Sequence, residues 1–241
     1  KARGLADLGN AYSDGALSNR NMIVNGAMQV SQRNGASTVS PSPVGYGGPD
    51  RFATYKSGSG AFSISQSSDG PVGFKNSFLA TVTTSSTPSG GDYYILQYTP
   101  EGQDLAVLEQ GTSDAQDFTL SFYVKSSLAG TFSGSMRDST TSVSYVFEYT
   151  INSANTWERK TVTISGSTGG TFPTDNTLAA RLCFSLGQGT TRATSTVGSW
   201  VSGSFHGSTT ETDFIANASA TWQITGVQLE VGDTATPFEH R

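Results

Sequence analysis

Phe118, Leu120, Phe122 and Val124 occupy every second position of FTLSFYVK, and apolar residues spaced in this way share a face only in a β-strand. The same period runs through Val143, Tyr145, Phe147, Tyr149 and Ile151, and more briefly through Val162 and Ile164 and through Leu178, Leu182, Phe184 and Leu186. Phe62 with Ile64, and Phe78 with Ala80 and Val82, add two strands upstream. Near the end Trp222 and Ile224 share one phase, whereas Val227, Leu229 and Val231 share the other. One residue is therefore inserted at about Gly226, which is the sequence mark of a β-bulge.

Strands with one apolar face each must bury those faces against one another, so about nine to eleven of them predict an all-β fold, an antiparallel two-sheet jelly-roll sandwich. Of the 241 residues 35 are Ser, 31 Thr and 28 Gly, residues that hold a helix interior poorly, and a helical bundle is excluded. The 13 Phe, 9 Tyr and 3 Trp supply a sizeable core, which argues against disorder over most of the chain. A single helical turn is predicted in EGQDLAVLEQ, where Leu105 and Leu108 are three apart and Asp104 is placed to cap.

Residues 1–20 hold only Leu5, Leu8 and Leu17 as large aliphatics and read as an extended N-terminal arm, with the sandwich over 21–241. Within it, NMIVNGAMQVSQR at 21–33 is a short apolar segment broken by Gly26, followed by a Pro- and Gly-rich stretch expected as an exposed loop. Residues 188–220 show little alternation and read as a long loop-rich insertion, of a kind that is either functional or held by a partner chain.

The chemistry is mostly a set of exclusions. A net charge of −5 with scattered basic residues offers no concentrated field for a phosphate backbone, so no nucleic acid is expected. No window approaches 18 consecutive apolar residues and Lys1–Asn10 lacks the apolar core of a signal peptide, so no membrane insertion is expected. With one cysteine, Cys183, and two histidines, His206 and His240, no Cys/His zinc cluster can be assembled. Cys183 lies in an alternating apolar run and reads as a small buried residue. No G-x-S-x-G elbow, Walker loop, H-E-x-x-H or EF-hand pattern is present. Glu101/Asp104, Asp114/Asp117 and Glu211/Asp213 are near enough in sequence to be weighed as glycosidase pairs, but they fall in turns where solvated acids are common. The chain is thus expected to be non-catalytic and without a cofactor. Asp117 and Asp233 are the candidates for a structural calcium, beside the simpler reading of solvated turn acids.

Aromatic side chains in loops carry the remaining signal, because the C–H face of a sugar stacks on a flat ring while polar neighbours take its hydroxyls. Trp222 and Trp157 read as core or corner residues. Trp200 sits in the 188–220 segment near Phe205 and His206, with Arg192 upstream. These four and Tyr46 are the candidate glycan contacts, although burial of Trp200 in a strand or against a partner chain is the simpler reading. The pair Tyr93/Tyr94 is a weaker candidate, with core burial favoured for both.

Several segments together resemble the jelly-roll domains of tailed-bacteriophage fibre and tail-associated proteins, which are similar in fold to carbohydrate-binding modules. They are NMIVNGAMQVSQR, PDRF at 49–52, LEQGTSDAQDFTLSFYVKSSLAGTFSGSMRD at 108–138, YTINSANTWERKTVTISG at 149–166 and, most specifically, WQITGVQLEVGDTATPFEHR at 222–241. GLADLGNAYSDGALSNRN looks like the junction found in fibre proteins of phages infecting cyanobacteria and related marine hosts. The resemblance implies a virion tail or tail-fibre component, a homotrimer that contacts other virion tail proteins and a host cell-surface polysaccharide. It transfers no binding residue. Members run on past an ending like PFEHR, so a short variant or a portion of a longer fibre is expected. A structural adaptor, collar or decoration protein is the alternative reading, and a polysaccharide depolymerase a more distant one.

Overall fold

A computed structural model describes residues 20–40 and 44–241, so the proposed 1–20 arm lies, but for Arg20, outside the described residues. The alternating runs become strands that pair into two antiparallel sheets. The five-stranded sheet follows the order β3 (Ala61–Ser67), β4 (Ser77–Thr84), β14 (Thr221–Val231), β6 (Phe118–Ser126) and β9 (Glu158–Ile164). The seven-stranded sheet follows the order β1 (Val44–Gly45), β2 (Phe52–Ser57), β5 (Tyr93–Tyr98), β10 (Ala180–Gln188), β7 (Gly130–Asp138), β8 (Val143–Ile151) and β12 (Trp200–Ser202). The fold is the antiparallel jelly-roll sandwich expected from the alternation. The predicted helical turn is present as α1 (Gly102–Leu105) running into a 3-10 turn at Ala106–Leu108; Asp104 does not cap it but pairs with Arg241 at 2.6 Å.

The inward faces meet in one aromatic-rich core. Phe184 of β10 packs between Phe122 of β6, at 5.1 Å between ring centroids, and Trp222 of β14, at 6.0 Å. Phe62, Phe78, Tyr94, Tyr98 and Phe147 extend the same layer and are fully enclosed. Cys183, one residue out of phase with Phe184, is buried on the opposite face of β10. The bulge lies where the phase slip puts it: the β14–β6 register shifts between Thr225 and Gln228, and Gly226 adopts φ +62°. Only glycine enters that region without steric cost.

Residues 21–28 form no strand. They turn beneath β14, where Asn21 replaces ladder partners with its side chain: its Oδ1 accepts from the Ile23 and Leu229 N–H groups, and its Nδ2 donates to the Glu239 carbonyl. The beginning and end of the described chain are thereby fastened to the same strand, and the Asn25 N–H donates to the Arg241 carbonyl at 3.0 Å. Gly26 sits so close that a Cβ there would stand 2.0 Å from the Val227 carbonyl oxygen.

Asn21 is fully buried, so Asn21→Ala leaves the Ile23 and Leu229 amides unpaired. Urea denaturation is expected to show a loss of about 2–4 kcal/mol. A loss below about 0.5 kcal/mol, the range of ordinary surface substitutions, would contradict this account of the junction.

Candidate functional site

Side chains alternate across the seven-stranded sheet, so each strand that feeds the core also presents a second row to its outer face. In β5 the core takes Tyr94, Leu96 and Tyr98, leaving Tyr93, Ile95 and Gln97 outside. In β10 the outer row is Arg181, Cys183 and Ser185, and in β7 it is Thr131, Ser133, Ser135 and Arg137. Half of this face is roofed by the segment that follows β10. That segment is not structureless: it forms a 3-10 turn at Thr190–Arg192, a two-residue parallel pairing of β11 (Ala193–Thr194) with β13 (Gly207–Ser208), and the edge strand β12.

Buried polar contacts hold the roof down. The Glu211 carboxylate receives the hydroxyls of Ser133 on β7 and Ser185 on β10, the latter at 2.7 Å. Ser133 Oγ also accepts from the Ser208 N–H at 3.0 Å, and Gln188 Nε2 donates to the Ser208 carbonyl. Burial pushes the Glu211 carboxyl up to about 8, against the hydroxyl donors that favour its ionised form.

The uncovered half is a groove made of two adjoining hollows of about 440 and 510 Å³, which share Tyr46, Thr99 and Leu178. The first hollow is floored by Tyr55, Tyr93, Gln97, Arg137 and Arg181 and walled by Arg192 and His206. The Tyr93 ring lies 4.7 Å from the His206 ring, and the Arg192 guanidinium lies over the Tyr93 ring at 5.7 Å from its centre. The second hollow is lined by Arg33, Asp50, Arg51 and Glu101, and Arg33 lies 5.0 Å from the centre of the Tyr46 ring.

Electrostatically the two hollows differ. The second holds two acids and two arginines: Arg51 and Glu101 approach at 3.7 Å, and Asp50 accepts from the Gln32 N–H. The first is lined by three arginines and no carboxylate. Arg137 and Arg181 are direct cross-strand partners in the β7–β10 ladder. Arg137 is 4% exposed and donates only to neutral groups, namely Ser204 Oγ, Gln97 Oε1 and Cys183 Sγ. Arg181 donates to the Asp138 and Ser139 backbone carbonyls. Burial, and then the charge of Arg137, lower its affinity for its proton. The neighbouring Asp138 carboxylate is engaged elsewhere, by Thr140, Ser142, Val143 and Thr171. Although its burial acts in the opposite direction, those donors bring its pKa down to about 2. His206 is driven down to about 2 by burial and then by Arg137 and Arg192, so it stands neutral in the wall.

Of the five residues singled out in the sequence, Tyr46, Arg192 and His206 are brought together here. Trp200 and Phe205 do not line the groove. Trp200 pairs with Tyr145 in the ladder and therefore faces the sandwich interior at its edge, packed on Tyr145 and Phe172, with its indole N–H donating to the Ser165 carbonyl at 2.7 Å. Phe205 folds back over Gly203. Tyr55, Gln97, Arg137 and Arg181 escaped sequence reasoning. Tyr93 was weighed together with Tyr94, yet the strand period separates them, since Tyr94 shares its phase with Leu96 and Tyr98.

Among the described residues no three His, Cys, Asp or Glu side chains converge as metal ligands. Asp117, named for calcium, accepts from the Gly166 N–H. Among the described residues no helix is long and apolar enough to cross a membrane.

No protein-family model matches the chain, and no curated protein matches it in sequence. Solved structures with a similar fold include the enzymatically active domain of tailspike protein 4 from bacteriophage CBA120, at 14% identity and TM-score 0.44 over 88% of this chain and 21% of that one. A family 11 carbohydrate-binding module from Clostridium thermocellum, in complex with a β-1,3-1,4-mixed-linked tetrasaccharide, aligns at 12% identity and TM-score 0.39 over 80% and 94% of the two chains. TmCBM61 in complex with β-1,4-galactotriose aligns at 8% identity and TM-score 0.39 over 89% and 100%. The chain thus spans about a fifth of the tailspike chain's length. These likenesses concern sandwich architecture and carry no argument about a ligand.

Because the folded chain raises the proton affinity of Glu211 from 4.5 to about 8, the stability tied to its protonated form is full below about pH 4.5 and is lost as the pH climbs to about 8. Thermal melts of wild type and Glu211→Gln should therefore diverge between about pH 5 and about pH 8, the variant gaining at least about 3 °C on the wild type at the upper end. Parallel curves would show that the carboxyl is not buried as described.

Proposed function

We propose that this chain is a non-catalytic glycan-recognition module and that the groove on the outer face of the seven-stranded sheet is its binding site. The observation that carries the reading is the set of tyrosines: Tyr46, Tyr55 and Tyr93 line one continuous groove beside guanidinium and amide donors. Flat rings flanked by polar groups are what a sugar requires, with one partner for its C–H face and others for its hydroxyls. The joined hollows suit an extended ligand rather than a single ring. The non-catalytic part of the reading is supported by the acids at hand. Glu211 is half-buried and held by the Ser133 and Ser185 hydroxyls, and Asp50 and Glu101 are held by a backbone amide and by Arg51.

The virion setting in this proposal rests on the sequence resemblance at 21–33 and 222–241: a tail or tail-fibre component, homotrimeric, facing a host surface polysaccharide. The groove supports the polysaccharide part of it, because such a ligand presents many sugar rings to an extended site.

An array of bacterial surface polysaccharides probed with the purified chain and its variants tests the reading. Tyr93→Ala and Tyr46→Ala should each weaken binding by about tenfold, the loss of one stacked ring. Trp200→Ala should leave affinity within about twofold, because its ring faces the sandwich interior. If Trp200→Ala abolished binding while both tyrosine variants retained it, the site would lie elsewhere.

A further inference from the structure

The chain carries a net charge of −5, yet the first hollow of the groove gathers Arg137, Arg181 and Arg192 with no carboxylate among its lining residues. None of the three forms an ion pair among the described residues. Like charges placed directly opposite one another in a ladder are destabilising, and Arg137 and Arg181 are placed so. A buried cation without a countercharge adds a desolvation cost. Arg137 Nε, Arg192 Nε and His206 Nδ1 are moreover enclosed, with no hydrogen-bond partner among the described residues. Buried polar groups of a folded protein are rarely left so, and here three of them border a single hollow. The roof and the sheet have built a positive, donor-rich pocket; the nearest carboxylate acting on it, Asp138, favours charged Arg181 but is itself bonded to Thr140, Ser142, Val143 and Thr171.

We infer that the groove recognises an acidic glycan, whose carboxylate or sulfate group docks against Arg137, Arg181 and Arg192 while its neutral rings run over Tyr46 toward the second hollow. This rests on the glycan reading above and narrows it to a substrate class. The division of labour follows from the electrostatics: the arginine hollow takes the charge, and the second hollow, with its two acids and two arginines, takes uncharged sugar. Guanidinium groups suit this task because their planar donors match a carboxylate or sulfate in paired hydrogen bonds. His206, neutral in this wall, fits as a donor or acceptor to a hydroxyl and not as a further cation.

Titration calorimetry with three probes tests the inference: oligogalacturonate, the same oligomer as its methyl ester, and a sulfated galactan oligosaccharide. At least one acidic probe should bind, and the methyl ester should bind at least about tenfold more weakly than the free acid if the carboxylate is the ligand group. Preference for the sulfated probe would assign the charge to sulfate. Arg192→Gln, at the partly exposed wall, should reduce acidic binding by about tenfold, and Arg137→Gln by more. Should Arg137→Gln fail to fold, Arg192→Gln and the salt dependence decide. Raising NaCl from about 50 to about 500 mM should weaken the acidic probe several-fold and leave an uncharged one unaffected. Equal binding of acid and ester, insensitive to salt and to Arg192→Gln, would overturn the inference and leave the glycan reading standing. Binding of none of the probes, together with a blank polysaccharide array, would overturn both.

Discussion

The groove exists because a half-buried carboxyl, Glu211, clamps the chain after β10 onto the outer face of the sheet that β10 itself belongs to. Its two serine partners lie on neighbouring strands, Ser133 on β7 and Ser185 on β10, so one side chain fixes the height and the lateral position of the roof together. Everything above the sheet follows from that anchor. The His206 N–H donates to the Arg192 carbonyl, the β11–β13 pairing follows directly, and both side chains come to rest against the Tyr93 ring. A charged Glu211 would be costly in this enclosure, and burial answers by raising its proton affinity.

The serine- and threonine-rich composition takes on a second meaning in this light. Many of these hydroxyls are the solvent-facing row of a sandwich, but Ser133, Ser144, Ser185 and Ser208 are buried between sheet and roof and act as its fasteners. A roof fastened by hydroxyls brings no carboxylate into an ion pair with the sheet's arginines among the described residues. Had the outer row of β7 or β10 carried an acid where it carries serine, Arg137 and Arg181 would have had an internal partner.

The sandwich was legible in the sequence wherever one face of a strand is apolar and the other is not. β6, β8 and β9 alternate clearly, and the phase slip in β14 placed its bulge at about Gly226, within the register shift between Thr225 and Gln228. The strands that floor the groove were the obscure ones, for a physical reason. In β5 the outer row, Tyr93, Ile95 and Gln97, is nearly as apolar as the inner one, so YYILQY reads as an almost continuous apolar run with no period. In β7 the inward row includes Gly134, where a Cβ would stand 2.3 Å from the Cys183 carbonyl oxygen and 2.5 Å from the Phe147 ring, and Asp138; the alternation is lost where packing leaves no room. The candidate site was therefore half visible. The loop residues Tyr46, Arg192 and His206 could be picked out by type. Arg137, Arg181 and Gln97 could not, because their meaning depends on which strands lie side by side. For Trp200 the simpler reading, burial in a strand, holds, but three residues of edge strand in a glycine- and serine-rich stretch are too few to show a period and left the sugar-platform reading open beside it.

The most direct measurement is hydrogen–deuterium exchange of the chain with and without a saturating oligosaccharide. If the ligand lies in the groove, protection falls on residues 190–193 and 204–207 of the roof and around Tyr46, and the five-stranded sheet is unchanged. Protection confined to the outer face of the five-stranded sheet, with the roof exchanging as in the free chain, would contradict the assignment of the site.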